Sequence, residues 1–429
     1  MLYLLKIIAY VADFLKIGRQ FMVMAMKIMP GLSKVLLKTH SIIFICGSCG
    51  KTTTMHQVAE AIKDSGCSVF CEKKRENCEK ILLSLLKRYK GSNNKKNAFA
   101  MFEVLPLSLK SITETIAPEI LAITNIFEEK NHGDDIYSYI EEGAKNLSDT
   151  MFVLNGDEPK LYSFAQGHRR YFYGFRINPN FPGGNEADES GKICPDCGEK
   201  YKYIYNTYAH LGNYSCEKCF KTRPQLALGV DVVYSLDENG SHVSFDGLEI
   251  NIPLAGGSNV YNALCAATIA GAAGIGPENI KNGIENTKNI LSVQESVRVD
   301  TKELRLISVD SALDCTESVN AILPDSGILY IACLLSEDDV SWIESVPFEK
   351  MVTLNYHGVL IGGSRYKEVA ERLKTAGLDT AKFMICEDFE SFLYSVRTNV
   401  IGRTYVFASK KAMKSLRRNL HKKGYLKKL

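Results

Sequence analysis

The chain has 429 residues, 45% hydrophobic and 24% charged, an ordinary globular composition that supplies a sizeable core and, by length, two or three domains. Net charge is only +3, yet nine Lys/Arg and no Asp/Glu lie between Lys410 and Leu429, leaving residues 1–409 at −6. Thirteen cysteines with no secretory signal argue against a disulfide framework and point to reduced thiols and metal binding in a cytoplasmic setting.

The opening "MLYLLKIIAYVADFLKIGRQFMVMAMKIMPG" is apolar, but Lys6, Asp13, Lys16 and Arg19 interrupt it, so no uncharged run of about 18 residues exists to cross a membrane. No small-residue cleavage site follows a short apolar core, which argues against a signal peptide. Leu4, Leu5, Ile8, Val11, Ala12 and Leu15 recur at helical spacing and predict an amphipathic helix. That stripe either packs on its own domain or meets a membrane surface or a partner groove.

Two signals overlap in "SIIFICGSCGKTTTMHQVAEAI": Cys46 and Cys49 have the spacing of a thiol redox pair, and Gly50-Lys51-Thr52 is the core of a phosphate-binding loop. Ile42 to Cys46 reads as a buried strand, and Met55, Val58, Ala59 and Ile62 share one helical face, so strand, glycine loop and helix follow in the order a phosphate loop needs. Gly47, Ser48 and Gly50 let backbone N–H groups approach a phosphate, Lys51 supplies charge, and Thr52, followed by Thr53, offers a hydroxyl to Mg²⁺. Cys46 is then the last strand residue and Cys49 a loop residue facing nucleotide. The longer Walker A pattern requires glycine at position 45, which is Ile.

Downstream, Cys194-x2-Cys197 precedes Cys216-x2-Cys219 by 18 residues. Two such knuckles make four tetrahedral thiolate ligands, the donor set of a closed, structural Zn²⁺ ribbon; four free buried cysteines are the competing reading. Tyr201, Tyr203 and Tyr205 alternate as in a strand, and His210 reads as a packing or hydrogen-bonding residue.

The short G-x-x-G-K-T-T form resembles the Mur ligase and folylpolyglutamate synthetase superfamily, whose members use ATP to activate a carboxylate for attack by an amine. With the four-cysteine ribbon the resemblance narrows to the MurT family, the Mur-ligase-like subunits of lipid II isoglutaminyl synthase. It runs through "IAPEILAITNIFEEKNHGDD", "MFVLNGDEP", "IPLAGGSNVYNALCAATIAGAAGIG" and "SEDDVSWIESVPFEK", in family order. The resemblance implies ATP and Mg²⁺ as cofactors beside structural Zn²⁺. The reaction it implies is phosphorylation of the D-glutamate α-carboxylate in the lipid II stem peptide. Ammonia then comes from a GatD-type glutaminase partner.

Carried over position by position, Lys51 contacts the ATP phosphates, Thr52 holds Mg²⁺, and Glu103 in "AMFEVLP" helps hold it, unless Glu103 is simply a loop carboxylate. Asn125 follows a buried strand pattern and faces ligand. Asn155 and Asp157 belong to a nucleotide-side loop, although Asx residues are common in turns. Tyr261 and Asn262 fall in a glycine-rich turn opening a helix, with Asn262 the better ligand contact. Asp339, with Asp338 its near rival, is the carboxylate lent to the glutaminase triad, or else part of an exposed acidic turn.

Departures from the family are substantial. Cys49 stands where Asn is usual, Glu128 and Glu129 replace an Arg-Asp pair, "VDSALDCTESVN" lacks an Asn-Pro, and Glu344-Ser-Val-Pro347 replaces Trp-Asp-x-Asp. Two alternatives therefore stand beside the amidotransferase subunit: a Mur-type amino-acid ligase without glutaminase, and a non-catalytic scaffold relative.

The expected fold is α/β. A helical lead-in (1–40) precedes a doubly wound ATP-binding domain (41–295) with the zinc ribbon (about 190–224) inserted as a separate lobe. A smaller C-terminal α/β domain (300–429) follows, with ATP between the lobes. "INPNFPGGNEADESGK" reads as a linker. The basic tail reads as a helix end with solvated lysines, or as a contact for anionic lipid or for the acidic face of a partner. It lacks the aromatic-basic sheet pattern of nucleic-acid binding. A lipid-linked substrate adds transient contact at the inner membrane face to a cytoplasmic location.

Overall fold

A computed structural model describes residues 2–89, 97–127, 135–179, 192–237, 240–287, 294–309, 311–320, 329–336 and 340–427. Asp338, Asp339, Glu128, Glu129 and most of the expected linker lie outside them. Three helices open the chain: α1 (Leu2–Phe14), α2 (Gly18–Ile28) and α3 (Leu32–Leu37). The first sheet collects β1 (Ser41–Cys46), β2 (Ser68–Arg75), β3 (Ala98–Val104), β4 (Ile120–Ile123), β5 (Met151–Asn155) and β6 (Arg170–Phe175). Its helices are α4 (Lys51–Asp64), α5 (Cys78–Arg88), α6 (Pro106–Thr113) and α7 (Ile136–Ala144). A separate hairpin, β7 (Lys202–Tyr208) and β8 (Leu211–Ser215), precedes β9 (Leu228–Asp237), β10 (Gly240–Phe245) and β11 (Leu248–Ile252), which rejoin the sheet. Then come α8 (Gly257–Ala272) and α9 (Pro277–Glu285).

The nine strands run β11-β10-β9-β6-β5-β4-β1-β3-β2, parallel from β2 to β9 with an antiparallel edge. The parallel strands need cover on both faces, and β1 shows how the sequence meets that need. Ile43 and Ile45 point into the core shared with α4, α8 and α9, while Ile42, Phe44 and Cys46 point into the core shared with α1 to α3 and α5 to α7. A run without polar alternation is therefore what this position requires.

The second sheet is built from β12 (Gln294–Val299), β13 (Lys302–Ser308), β14 (Leu329–Leu334), β15 (Tyr356–Gly362), β16 (Phe383–Cys386) and β17 (Arg403–Ala408). Their order is β12-β13-β17-β14-β15-β16, parallel except for the β12–β13 hairpin. Helices α10 (Ala312–Asn320), α11 (Tyr366–Thr375), α12 (Phe389–Thr398) and α13 (Lys410–Lys422) complete this unit. Alternate β14 residues again feed two cores: Ile331 and Cys333 join one, Ala332 and Leu334 the other.

The basic tail is largely α13, and its inner face is apolar: Ala412, Met413, Leu416 and Leu420 are buried. Arg417 joins them and donates to Glu295 of β12 at 2.5 Å, with both side chains under a tenth exposed. The lysines occupy the outer side, as for a packed helix with solvated charges. Removing one partner of a buried pair strands the other charge, so Arg417→Ala should lower unfolding free energy by about 3 kcal/mol. Lys414→Ala on the exposed face should stay within about 0.5 kcal/mol, both read from urea midpoints.

Candidate active site

β1 pairs with β3 on one side and β4 on the other, so the sheet order changes direction there, the switch point beyond whose carboxyl end open α/β sheets form their ligand crevice. The sequence-predicted loop residues fill that position. Gly47 (φ 126°) passes so close to the end of β4 that a Cβ would stand 2.4 Å from Thr124 Oγ1. Gly50 (φ 79°) is equally committed, with Asn262 Oδ1 2.0 Å from where a Cβ would be. α4 begins at Lys51, directly behind the loop, which directs its N-terminal dipole toward the crevice.

Residues after β4 strap the loop in place. Ser48 N donates to Asn125 O (3.1 Å), Cys49 N to Asn125 Oδ1 (2.9 Å), and Thr124 Oγ1 to Cys49 O (2.7 Å). Ser48 Oγ donates to Phe127 O at 3.0 Å and lies 2.9 Å from Phe127 N. Lys51 Nζ folds back onto the carbonyls of Gly47 (2.6 Å) and Ser48 (2.8 Å). Thr52 Oγ1 donates to Glu103 Oε2 at 2.9 Å, although 51 residues separate them. Glu103 lies opposite Ile45 in the β1–β3 register and is 3% exposed. A hydroxyl and a carboxylate held together beside a lysine and a phosphate loop are the hard oxygen donors that suit Mg²⁺.

In the overlapping thiol motif, the first cysteine is sealed in the core. Burial pushes the Cys46 thiol up to about 12 against the opposing charge of Lys51, and the residue has no exposed surface. The Cys49 backbone is held at both its N–H and its carbonyl by the Asn125 side-chain amide.

The remaining expected residues take varied positions. Thr53 is buried in the first turn of α4. Asn262 and Tyr261 lie inside α8, not in the turn that opens it, because the helix starts immediately after Gly256 (φ 98°). Asn155 ends β5 and Asp157 lies two residues beyond it, both fully buried. Asn155 Oδ1 accepts from Asp157 N at 3.0 Å. Asp157 accepts from Arg223 Nη1 (2.9 Å), Tyr261 Oη (2.7 Å) and Phe175 N (2.8 Å). Burial raises its carboxyl above the ordinary value, and Arg223 is the largest opposing influence.

Those bonds reach the hairpin segment, which is docked against the first sheet instead of standing apart as the expected lobe. Gly212 N donates to Asp157 O (3.0 Å), Tyr205 Oη to Phe175 O (2.7 Å), and Thr207 bonds Tyr261. Beside them, buried His210 Nε2 bonds Glu158 Oε2 at 2.8 Å, and the same oxygen accepts from Ile126 N at 3.1 Å. The His210 ring also meets Phe127 edge-on, with centroids 5.2 Å apart. Phe127 clasps Ser48, so a bonded path leads from the hairpin to the phosphate loop.

At the outer end of the hairpin segment, Cys194, Cys197, Cys216 and Cys219 bring their sulfurs within 4.8 Å of one another. Two of these separations are 3.6 and 3.4 Å. A tetrahedral Zn–S bond of about 2.3 Å sets neighbouring sulfurs roughly 3.8 Å apart, so the set fits such an ion. The knuckles repeat each other in detail: Gly198 (φ 70°) and Phe220 (φ 58°) follow the second cysteine of each, and short bridges Ile193–Lys200 and Ser215–Thr222 close the turns. The four thiols share their protons. Against desolvation, hydrogen bonds from Tyr201 and the Cys197 N–H bring Cys194 to about 7, and the Cys219 N–H lowers Cys216. Against the N–H groups of Glu199 and Lys221, desolvation and hydrogen bonds from the neighbouring sulfurs raise Cys197 and push Cys219 up to about 12.

Comparisons with known proteins agree with this geometry. A family profile described as "MurT ligase C-terminal" matches residues 317–413. The MurT subunit of lipid II isoglutaminyl synthase from Streptococcus pneumoniae is 28% identical, covering 92% of this chain and 90% of its own length. Among solved structures, a pseudomurein peptide ligase type C from Methanothermus fervidus superposes with TM-score 0.66 and 19% identity over 91% of this chain and 80% of that one. MurF ligase from Thermotoga maritima in complex with ADP gives TM-score 0.57 and 15% identity over 92% and 84%.

The chain has the fold of the Mur ligases and resembles MurT.

In this MurT-like chain, sequence reasoning missed Thr124, Glu158 and Arg223. Thr124 and Glu158 sit one and three residues beyond strand ends, and Arg223 four residues past the last cysteine, so only position could have flagged them. His210→Ala should leave Glu158 buried without its partner, costing about 3 kcal/mol in a denaturant titration. It should also weaken nucleotide binding in calorimetry through Ile126 and Phe127, whereas His210→Gln should retain most of both.

Proposed function

We propose that this chain activates the D-glutamate α-carboxylate of the lipid II stem peptide for amidation to D-isoglutamine, drawing ammonia from a GatD-type glutaminase partner. The observation that carries the reading is the Thr52–Glu103 contact beside Lys51 on the phosphate loop, in a chain whose near-full length aligns with a curated MurT. A carboxylate oxygen attacks the γ-phosphorus of ATP, ADP departs, and an acyl phosphate remains. Ammonia then adds to the acyl carbon, phosphate leaves with the C–O bond, and an amide results. Mg²⁺, when bound, neutralises phosphate charge during transfer. Lys51 leaves its two carbonyl partners to meet the terminal phosphates, while Thr52 and Glu103 hold the metal and the loop N–H groups cradle the phosphates. Gly47, Ser48, Gly50, Thr53, Asn125 and Asn262 complete the loop and its support. Asn155 and Asp157 shape it from below.

Zn²⁺ in the four-cysteine cluster is structural in this reading. The metal stiffens the outer end of a hairpin segment whose inner end bonds Asp157 and Glu158. Asp339 is proposed to serve the partner's triad. A non-catalytic scaffold is the second reading, favoured by Glu344-Ser-Val-Pro347 in place of Trp-Asp-x-Asp.

The deciding experiment measures ATP turnover and isoglutaminyl product with lipid II, using free ammonia or glutamine plus the co-expressed glutaminase. Wild type should act with either donor, and Lys51→Ala and Glu103→Gln should each lose about a hundredfold or more. Equal silence of wild type and Lys51→Ala, in folded protein that retains zinc, would favour the scaffold. Separately, elemental analysis should find about one zinc per chain. A Cys194→Ser/Cys216→Ser variant should lose the metal and melt at lower temperature.

A further inference from the structure

Helix α1 is inverted relative to an ordinary packed helix. Its buried side chains are the small ones, Ala9 and Ala12. Most of the large ones face outward: Leu4, Ile7, Ile8, Val11 and Phe14, with Leu15 just beyond the helix, are 41–87% exposed. The apolar stripe legible in the sequence is thus split, with Leu5 and Ala12 on the protein and Leu4, Ile8, Val11 and Leu15 in the open. The outward residues recur at intervals of three and four and form one stripe. Together they expose on the order of 600 Å² of apolar surface, at the top of the range for monomeric proteins.

The helix cannot turn this face inward, because its other side is fastened. Lys6 Nζ donates to Tyr89 O at 2.8 Å, Tyr10 Oη to Lys87 O at 3.1 Å, and Asp13 pairs with Lys87 at 2.5 Å. Next to it, α2 presents Met24 and Ile28, at 56% and 70% exposure. Residues 1–40 hold six Lys/Arg against the single acidic Asp13, itself paired with Lys87. Lys16, Lys27, Lys34 and Lys38 are exposed. At 13 residues α1 spans about 20 Å, too short to cross a bilayer, and no described helix is long and apolar enough to do so.

We infer that α1, supported by α2, lies in the plane of an anionic lipid surface, its outward apolar stripe entering the headgroup–acyl boundary while lysines of residues 16–38 meet the lipid phosphates. An exposed apolar stripe flanked by cations, with few anions to repel the surface, is the chemistry of an interfacial helix. This inference does not depend on the reaction proposed above.

Vesicle flotation of the full chain tests it, with phosphatidylcholine vesicles compared with vesicles that also contain phosphatidylglycerol. The chain should float with the anionic vesicles and much less with the neutral ones. Ile7→Glu/Phe14→Glu should abolish flotation while leaving the thermal midpoint unchanged, since neither side chain is buried. Lys16→Ala/Lys27→Ala should weaken anionic binding by roughly tenfold at low salt. A Phe14→Trp variant should blue-shift its emission on adding the anionic vesicles. Failure of the wild type to float with either vesicle overturns the inference. So does sedimentation showing a dimer that Ile7→Glu/Phe14→Glu dissociates, which would assign the stripe to a second copy.

Discussion

The parallel pairing of β1 with β3 and β4 is the constraint on which the rest of the structure depends. Because β1 has neighbours on both sides reached by chain running in opposite directions, the space beyond its end is kept clear of crossover helices. Into that space the strand ends deliver Gly47, Glu103 and Asn125. Each arrives in register, since Ile45 lies opposite Glu103 and Cys46 opposite Ile123. The Thr52–Glu103 contact follows from this register together with the immediate start of α4 after Gly50. A helix start one turn later would move the hydroxyl away from the carboxylate.

The hairpin segment adds a second constraint. Its four-cysteine end is small and, among the described residues, has little apolar core: Tyr201, Tyr203 and Tyr214 with the cysteines themselves. A cluster of that size is held by its ligands more than by burial. Its other end is deeply bonded into the first sheet, where Arg223 and His210 meet carboxylates that have no exposed surface. Buried carboxylates without partners are costly, so these two contacts also keep the strand-end loop after β5 in a single conformation. Order in the segment and order beneath the phosphate loop are thereby linked through Glu158, Ile126 and Phe127.

Much of the site was legible because its signals are local. The strand before the loop, the glycines, the lysine and threonine that start α4, and the two cysteine knuckles each need only a few neighbouring residues to be recognised. Glu103 was legible for a related reason, as a carboxylate at the end of an apolar run. Partnerships across the chain were not. Nothing near His210 announces Glu158, 52 residues earlier, and nothing near Asp157 announces Arg223 or Tyr261. Asn155 and Asp157 read as ligand-facing Asx residues, and the fold gives their polar groups internal partners.

By itself the sequence determined the alternation of strands and helices, the phosphate loop, the four thiolate donors and the amphipathic character of α1. Each is carried by spacing along the chain, and spacing survives in one dimension. Tertiary structure decided which side of α1 meets the protein, which carboxylate joins Thr52, and that the hairpin segment is bonded to the first sheet. Periodicity records that a helix has two faces, but only packing chooses the one that is buried. Here the alanines are buried in the core that α1 shares with α2, α3 and α5, leaving most of the larger side chains outside.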